Sequence, residues 1–180
     1  MASTSDYLPP GKLPLDVLAG LLSEFPAGTD PRVLVGPRVG EDATVIQFGE
    51  SCLVAKTDPI TFATDEIGRY LVHVNANDIA TMGATPRWML VTLLLPEGKT
   101  TPETVRTIFS SLQKAAGEID VTICGGHTEI TIGLDQPVAI GQMLGECSRE
   151  DLIESTNLQV GDAILLTKGL GVEATALLAV

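Results

Sequence analysis

Residues 87–95 read RWMLVTLLL, an almost unbroken apolar run fenced by Pro86 and Pro96. A run this short between prolines reads as a strand buried on both faces. Such a strand must be covered by other layers, so the rest of the chain has to supply them. Val17, Leu18, Leu21, Leu22 and Phe25 recur at helical steps and predict a helix from Leu13 to Phe25, stopped by Pro26, Gly28 and Pro31. TVIQF (44–48) and SCLVAKT (51–57) read as strands about a Gly49–Ser51 turn, and DPITFATDE (58–66) as a loop. A helix is expected from Asp65, as N-cap, to Met82, with Gly83 as its stop. Thr101 and Pro102 open another, running to about Gly117.

VTIC (121–124) and VAIGQMLGEC (138–147) read as further strands, with Gly125–Gln136 as their connection. DAILLTK (162–168) reads as one more strand, and GVEATALLAV (171–180) as the start of a helix. Strands and helices mix without strict alternation, which favours an α+β fold over a doubly wound sheet.

The chain of 180 residues has 44% hydrophobic and 19% charged residues, enough apolar material for a core. Its net charge of -12 would repel a polyanion, which argues against a nucleic-acid partner. Phosphates remain accessible if a divalent cation bridges them to carboxylates. Cys52, Cys124 and Cys147 lack CxxC spacing, so neither a disulfide framework nor a zinc knuckle is expected. No apolar signal core or bilayer-length segment is evident, and a cytoplasmic protein with no membrane partner is expected.

Four segments place polar groups in unusual company. In VGEDA, Gly40 would let backbone N–H groups approach a ligand while Glu41 and Asp42 offer hard oxygens. KTDP puts Asp58 at the end of a predicted strand. In HVNANDIATMGATP, Asn75 and Asp78 share a helix face, where a plain helix would avoid clustering such side chains. In CGGHTEIT, paired glycines after a strand precede His127, Thr128 and Glu129, a setting for an anion nest. Zinc at Cys124 and His127 would need two more ligands, and a Cys–His nucleophile on one tight turn fits in-line proton transfer poorly. Asp42, Asp58, Asp78 and Glu129 together suit Mg2+-bridged phosphate binding, without a Walker or GxGxxG motif.

VGEDA, KTDP, NANDIATMGATP and GGHTE, in this order and at these separations, resemble the aminoimidazole-ribonucleotide-synthetase-like ATP-binding superfamily, with a look closest to its hydrogenase-maturation (HypE) branch. The resemblance implies a largely antiparallel sheet with helices on one face, pairing with a second copy into a barrel-like homodimer. It implies residues 1–34 as a helical extension, 35–155 as the ATP-binding domain and 156–180 as the start of a second, α/β domain that the chain does not complete. It also implies ATP and Mg2+ as cofactors. Asp42, Thr57, Asp58 and Asp78 would hold the metal. Asn75 would orient them, Gly125, Gly126 and Thr128 would line the phosphate groove, and Gly40, Lys56, Asn77 and His127 would contact the nucleotide. Relatives commonly place Asp where His127 stands, and neutral imidazole suits so hard a cation poorly. Glu129 is then the candidate to replace it, or His127 hydrogen-bonds a phosphate. The activity implied is ATP-dependent phosphorylation or activation of an amide-like oxygen on a small substrate or carrier protein. The alternative is a non-catalytic nucleotide-binding or dimerisation module of the same fold.

Overall fold

The structure is a computed structural model describing residues 7–25, 29–61, 66–166, 168–172, 175, 178 and 179. Six strands form one sheet: β1 (Val33–Val35), β2 (Thr44–Phe48), β3 (Ser51–Ile60), β4 (Thr85–Pro96), β5 (Thr122–Thr131) and β6 (Val138–Ser148), in the order β1-β2-β3-β6-β4-β5. Every pairing is antiparallel except β4 with β5. That parallel pair needs a crossover, and α3 (Pro102–Glu118) supplies it. The α+β reading therefore holds.

Helix α2 (Ile67–Thr81) lies on β3 and β6, and α3 packs beside it. Small residues on β6 make that seat possible. Ala139, Gly141, Met143 and Gly145 alternate onto the helix face, and a Cβ at Gly141 would stand 2.5 Å from Asn75 Nδ2. A Cβ at Gly145 would stand 2.3 Å from Ile79 Cγ2. Leu71, Val72, Ile79, Val54, Met89, Leu93, Leu95 and Met143 fill the layer between helices and sheet.

The cap of α3 and the stop of α2 agree with the sequence, whereas the N-cap of α2 is Glu66, one residue past the expected position and without a side-chain cap hydrogen bond. Thr101 Oγ1 accepts from the Thr104 N–H at 3.2 Å, with Pro102 in the first turn of α3. Gly83 ends α2 at φ 74, and a Cβ there would sit 2.1 Å from the Asp151 carbonyl oxygen. The expected cap Asp65 and the stops Pro26 and Gly28 lie outside the described residues.

Several expectations need correction. RWMLVTLLL is a strand, but only one face is fully covered. Met89, Val91, Leu93 and Leu95 are buried beneath the helices, whereas Leu90, Thr92 and Leu94 on the other face are half-buried. The proposed loop at Asp58 is strand: β3 runs to Ile60, with Asp58 opposite Gly141 and Pro59 opposite Ile140. β1 was not anticipated, being only three residues long.

Gly125–Gln136 does not form a simple connection, because β5 continues to Thr131 in register with β4. Its glycines serve close approach rather than a turn. Gly126, at φ 150 beside an irregularity at Met89/Leu90, would put a Cβ 1.9 Å from the Val91 carbonyl oxygen. Residues 162–166 and 168 are not in a strand: they pair with no described strand, and Ile164, Leu165 and Leu166 are exposed. Beyond them, the Thr175 N–H bonds the Gly171 carbonyl and the Ala179 N–H that of Thr175, at helical spacing. Helix α1 (Leu15–Ser23) forms within the expected span and buries no residue. No helix among the described residues is long and apolar enough to cross a membrane.

Gly141→Ala tests the seat of α2. It should cost about 1–3 kcal/mol by overpacking, read from the urea midpoint. Gly117→Ala, where a Cβ meets nothing within 4 Å, should be neutral or stabilising.

Candidate functional site

Alternation along β3 places Lys56 and Asp58 on the helix face, against the middle and C-terminal half of α2. Helix α2 brings Asn75 and Asp78 to the same face of its own axis, one turn apart. The glycine-rich segment before β2 delivers Asp42. These elements converge on one ammonium. Lys56 Nζ lies 2.9 Å from Asp78 Oδ2, 3.7 Å from Asp58 Oδ2 and 3.8 Å from Asp42 Oδ1. The Lys56 side chain is 7% exposed, while the three carboxylates are 22%, 38% and 69% exposed in the same order. A nearly buried cation thus sits under a partly open ring of anions, and the cluster carries excess negative charge.

Asn75 lies behind this ring and is fully buried. Its Nδ2 donates to the Leu71 carbonyl at 2.9 Å and to the Asp58 carbonyl at 3.4 Å, tying the helix to the strand that carries the carboxylate. Its Oδ1 has no hydrogen-bond partner among the described residues. A buried amide oxygen without a donor costs about 1–3 kcal/mol, and such an atom suits a site that takes up a ligand or water.

The donor chemistry, three carboxylates and an amide oxygen, suits a hard divalent cation. The spacing is that of an ammonium site. Among the described residues no three His, Cys, Asp or Glu side chains stand close enough together to hold a metal.

Glu41 and Asp42 are neighbours with separate duties. Asp42 turns toward Lys56, whereas Glu41 accepts from Arg38 Nη2 at 2.8 Å and from the Ser155 hydroxyl. The Ser155 hydrogen bond, with help from Arg38, holds the Glu41 carboxyl below its ordinary range despite burial. This clamp ties the segment after β6 to the loop bearing Asp42. Sequence reading grouped Glu41 with Asp42 and did not anticipate Arg38 or Ser155, whose only signal is their contact in space.

The remaining candidates stand elsewhere. Thr57 faces the opposite side of the sheet, and its hydroxyl donates to the Gly141 carbonyl at 2.9 Å. Asn77 is exposed on the far side of α2 from Asn75. Gly40, at φ 92, precedes the Glu41–Asp42 pair. Gly125, Gly126 and Thr128 line an open groove of ≈ 840 Å³ between α3 and β5, beside Val91, Arg106 and Phe109.

His127 and Glu129 align with Thr92 and Leu94, on the sheet face away from the helices. His127 Nε2 is 3.0 Å from Glu129 Oε2, and Thr131 donates to Glu129 Oε1 at 2.9 Å. The His127 hydrogen bond, then that of Thr131, keeps the Glu129 carboxyl below its ordinary range. Two intervening strands and a change of face separate this pair from Lys56, so the single chain does not bring them together.

Known proteins resemble this chain in sequence and fold. The family described as AIR synthase related protein, N-terminal domain, matches residues 40–147. A Methanocaldococcus jannaschii protein named for hydrogenase expression/formation is 32% identical over 143 residues, covering 77% of this chain and 42% of that protein. A selenide, water dikinase of Rhizobium meliloti is 29% identical over 166 residues, covering 89% of this chain and 47% of its own. The chain thus spans less than half the length of these relatives. Among solved structures, hydrogenase maturation protein HypE in complex with ATP aligns at a TM-score of 0.51 and 25% identity, over 76% of this chain and 37% of that one.

Lys56→Met should leave three carboxylates around an apolar tip and destabilise the fold by about 2 kcal/mol. If the carboxylates can share a divalent cation once the ammonium is gone, Mg2+ should raise the melting temperature of Lys56→Met more than that of wild type.

Proposed function

Because this chain belongs to the AIR synthase related protein family, which it matches over the N-terminal domain, we propose that it is the ATP-binding part of an ATP- and Mg2+-dependent enzyme. The reaction is phosphorylation or activation of an amide-like oxygen on a small substrate or carrier protein. The observation that carries this reading is the convergence of Asp42, Asp58 and Asp78 on Lys56, with the unpaired Asn75 Oδ1 behind them, inside the matched stretch. An ATP-bound relative and a relative named a dikinase support it.

In phosphoryl transfer most of the protein's work is positioning and charge stabilisation. Bound Mg2+ would offset charge developing on the transferred phosphoryl oxygens. The carboxylates of Asp42, Asp58 and Asp78 are the groups to hold it. Lys56, released from them, is a buried-stem ammonium within reach of the same space and can pair with a phosphate oxygen. Asn75 fixes α2 against β3, so that Asp78 and Asp58 keep their separation. The Glu41 clamp with Arg38 and Ser155 limits the motion of the loop bearing Asp42.

We further propose that the protein acts as a homodimer through the uncovered sheet face. Leu53, Leu90, Leu94, Ile140 and Leu144 are half-buried there, and Phe48 and Trp88 exposed. A hollow of ≈ 440 Å³ is lined by Phe48, Leu53, Trp88 and Leu144. An apolar face of this kind, rimmed by the Arg87–Glu146 ion pair, is typical of a covered surface. The same face favours, as a second reading, a dimerisation or nucleotide-binding module without turnover.

Calorimetry on the intact protein should give Mg2+-dependent ATP binding, weakened at least about tenfold by Asp78→Asn, or 1.4 kcal/mol. ATP binding that is absent, or indifferent to Mg2+ and to Asp78→Asn, sinks the proposal. Binding without phosphate release in the presence of amide or thiocarboxamide substrates selects the second reading. Light scattering after size exclusion should report a dimer, and Trp88→Glu should shift it to monomer.

A further inference from the structure

Cys52 on β3 and Cys147 on β6 are directly opposite each other in an antiparallel pair. Opposed residues share a sheet face, and theirs is the helix face, where Cys52 is 1% exposed and Cys147 is packed against the core. Opposed antiparallel residues have Cα atoms about 4.5 or 5.5 Å apart. Both spacings fall within the roughly 4.4–6.8 Å that a disulfide spans without backbone movement.

Neither sulfur takes part in the Lys56 cluster. A metal reading fails, because no third His, Cys, Asp or Glu among the described residues completes a site around them. Two thiols packed against a core can act simply as small apolar filler. Filler, however, does not require two cysteines directly opposed across a strand pair, nor one member that reaches solvent. Cys147 is only partly buried, whereas Cys52 beside it is closed off. One thiol is open to a reagent and the other is poised behind it, the arrangement of an attacking and a resolving cysteine.

We propose that Cys52 and Cys147 are an oxidative modification site, converted by a hydroperoxide into a reversible cross-strand disulfide. The Cys147 sulfur, as thiolate, attacks the peroxide. An S–O bond forms, the O–O bond breaks, and the departing oxygen leaves as water or alcohol after taking a proton. The Cys52 sulfur then attacks the sulfenic sulfur of Cys147. The S–S bond forms, the S–OH bond breaks, and the hydroxide leaves as water with the Cys52 proton. The two sulfurs supply the two electrons that reduce the peroxide, and an external dithiol reverses the change. The crosslink joins the strand that carries Lys56 and Asp58 to the strand that seats α2, across a long stretch of intervening chain. It therefore restricts the unfolded chain and stabilises the fold.

Burial, with Cys52 and Asp151 adding to it, pushes the Cys147 thiol above its ordinary range, so the thiolate is scarce at neutral pH and oxidation is slow there. The test accordingly uses excess hydrogen peroxide on the Cys124→Ser protein, which removes the exposed third cysteine. Free thiols are then alkylated in denaturant, and the chain is digested without reduction and analysed by mass spectrometry. The expected result is a mass loss of about 2 Da from the two departed hydrogens, a linked peptide containing Cys52 and Cys147, a melting temperature higher by several degrees, and complete reversal by dithiothreitol. Cys147→Ser in the same background should show neither the linked peptide nor the thermal shift. The proposal is overturned if Cys52 remains alkylatable after oxidation, if Cys147 ends as a sulfinate, or if the only disulfides join separate chains.

Discussion

Helix α2 can place its polar residues against β3 only because β6 offers it a bare track. Gly141 and Gly145 remove the side chains that would hold the helix off the sheet, and Ile79 and Asn75 occupy the space. Gly83 closes the far end by letting Asp151 approach the helix terminus. The depth of this seat brings Asn75 within reach of the Asp58 carbonyl and sets Asp78 beside Lys56. A helix lifted by one methyl group would lose that depth. The polar cluster is thus a product of apolar packing, and its carboxylates inherit the rigidity of the layer beneath.

The cluster in turn shows why its cation is a lysine in the free chain. Three carboxylates this close repel one another unless a positive charge stands among them. Lys56 provides it from below, on a stem buried in the core, while the carboxylates stay open to solvent on the outer side. A buried charge without partners would be costly, so each side of the arrangement requires the other. The same balance makes the centre exchangeable: whatever replaces the ammonium there must also be positive.

Much of this was legible in the sequence. The apolar run at 87–95, the caps at Thr101 and Gly83, and the strands flanking Gly49 follow from local rules, and the structure has them in place. Asn75 and Asp78 stood out because such residues seldom cluster inside a helix. What local rules miss is long-range. Gly125 and Gly126 look like a turn, yet they form a strand because β4 lies close enough to exclude a Cβ. Asp58 before Pro59 looks like a loop starter, yet β6 pairs with both. Lys56 carries no local mark of being the hub, and Ser155 none of reaching back to Glu41. Residues 162–166 have a strand's composition but no strand beside them among those described.

The register that separates Glu129 from Lys56 also gives the sheet two chemically different faces. One holds the helices, the core and the carboxylate ring. The other holds half-buried leucines, with His127, Glu129 and Thr131 in a hydrogen-bonded row along the edge strand. A residue on β5 cannot change face without slipping one position against β4, which would drive Gly126 from its place against the Val91 carbonyl, where a Cβ is excluded. The row is therefore fixed on the face proposed for a second copy. In such a dimer the His127–Glu129 pair would meet residues of the partner rather than the ring of its own chain, and any contribution it made to the site would cross the interface.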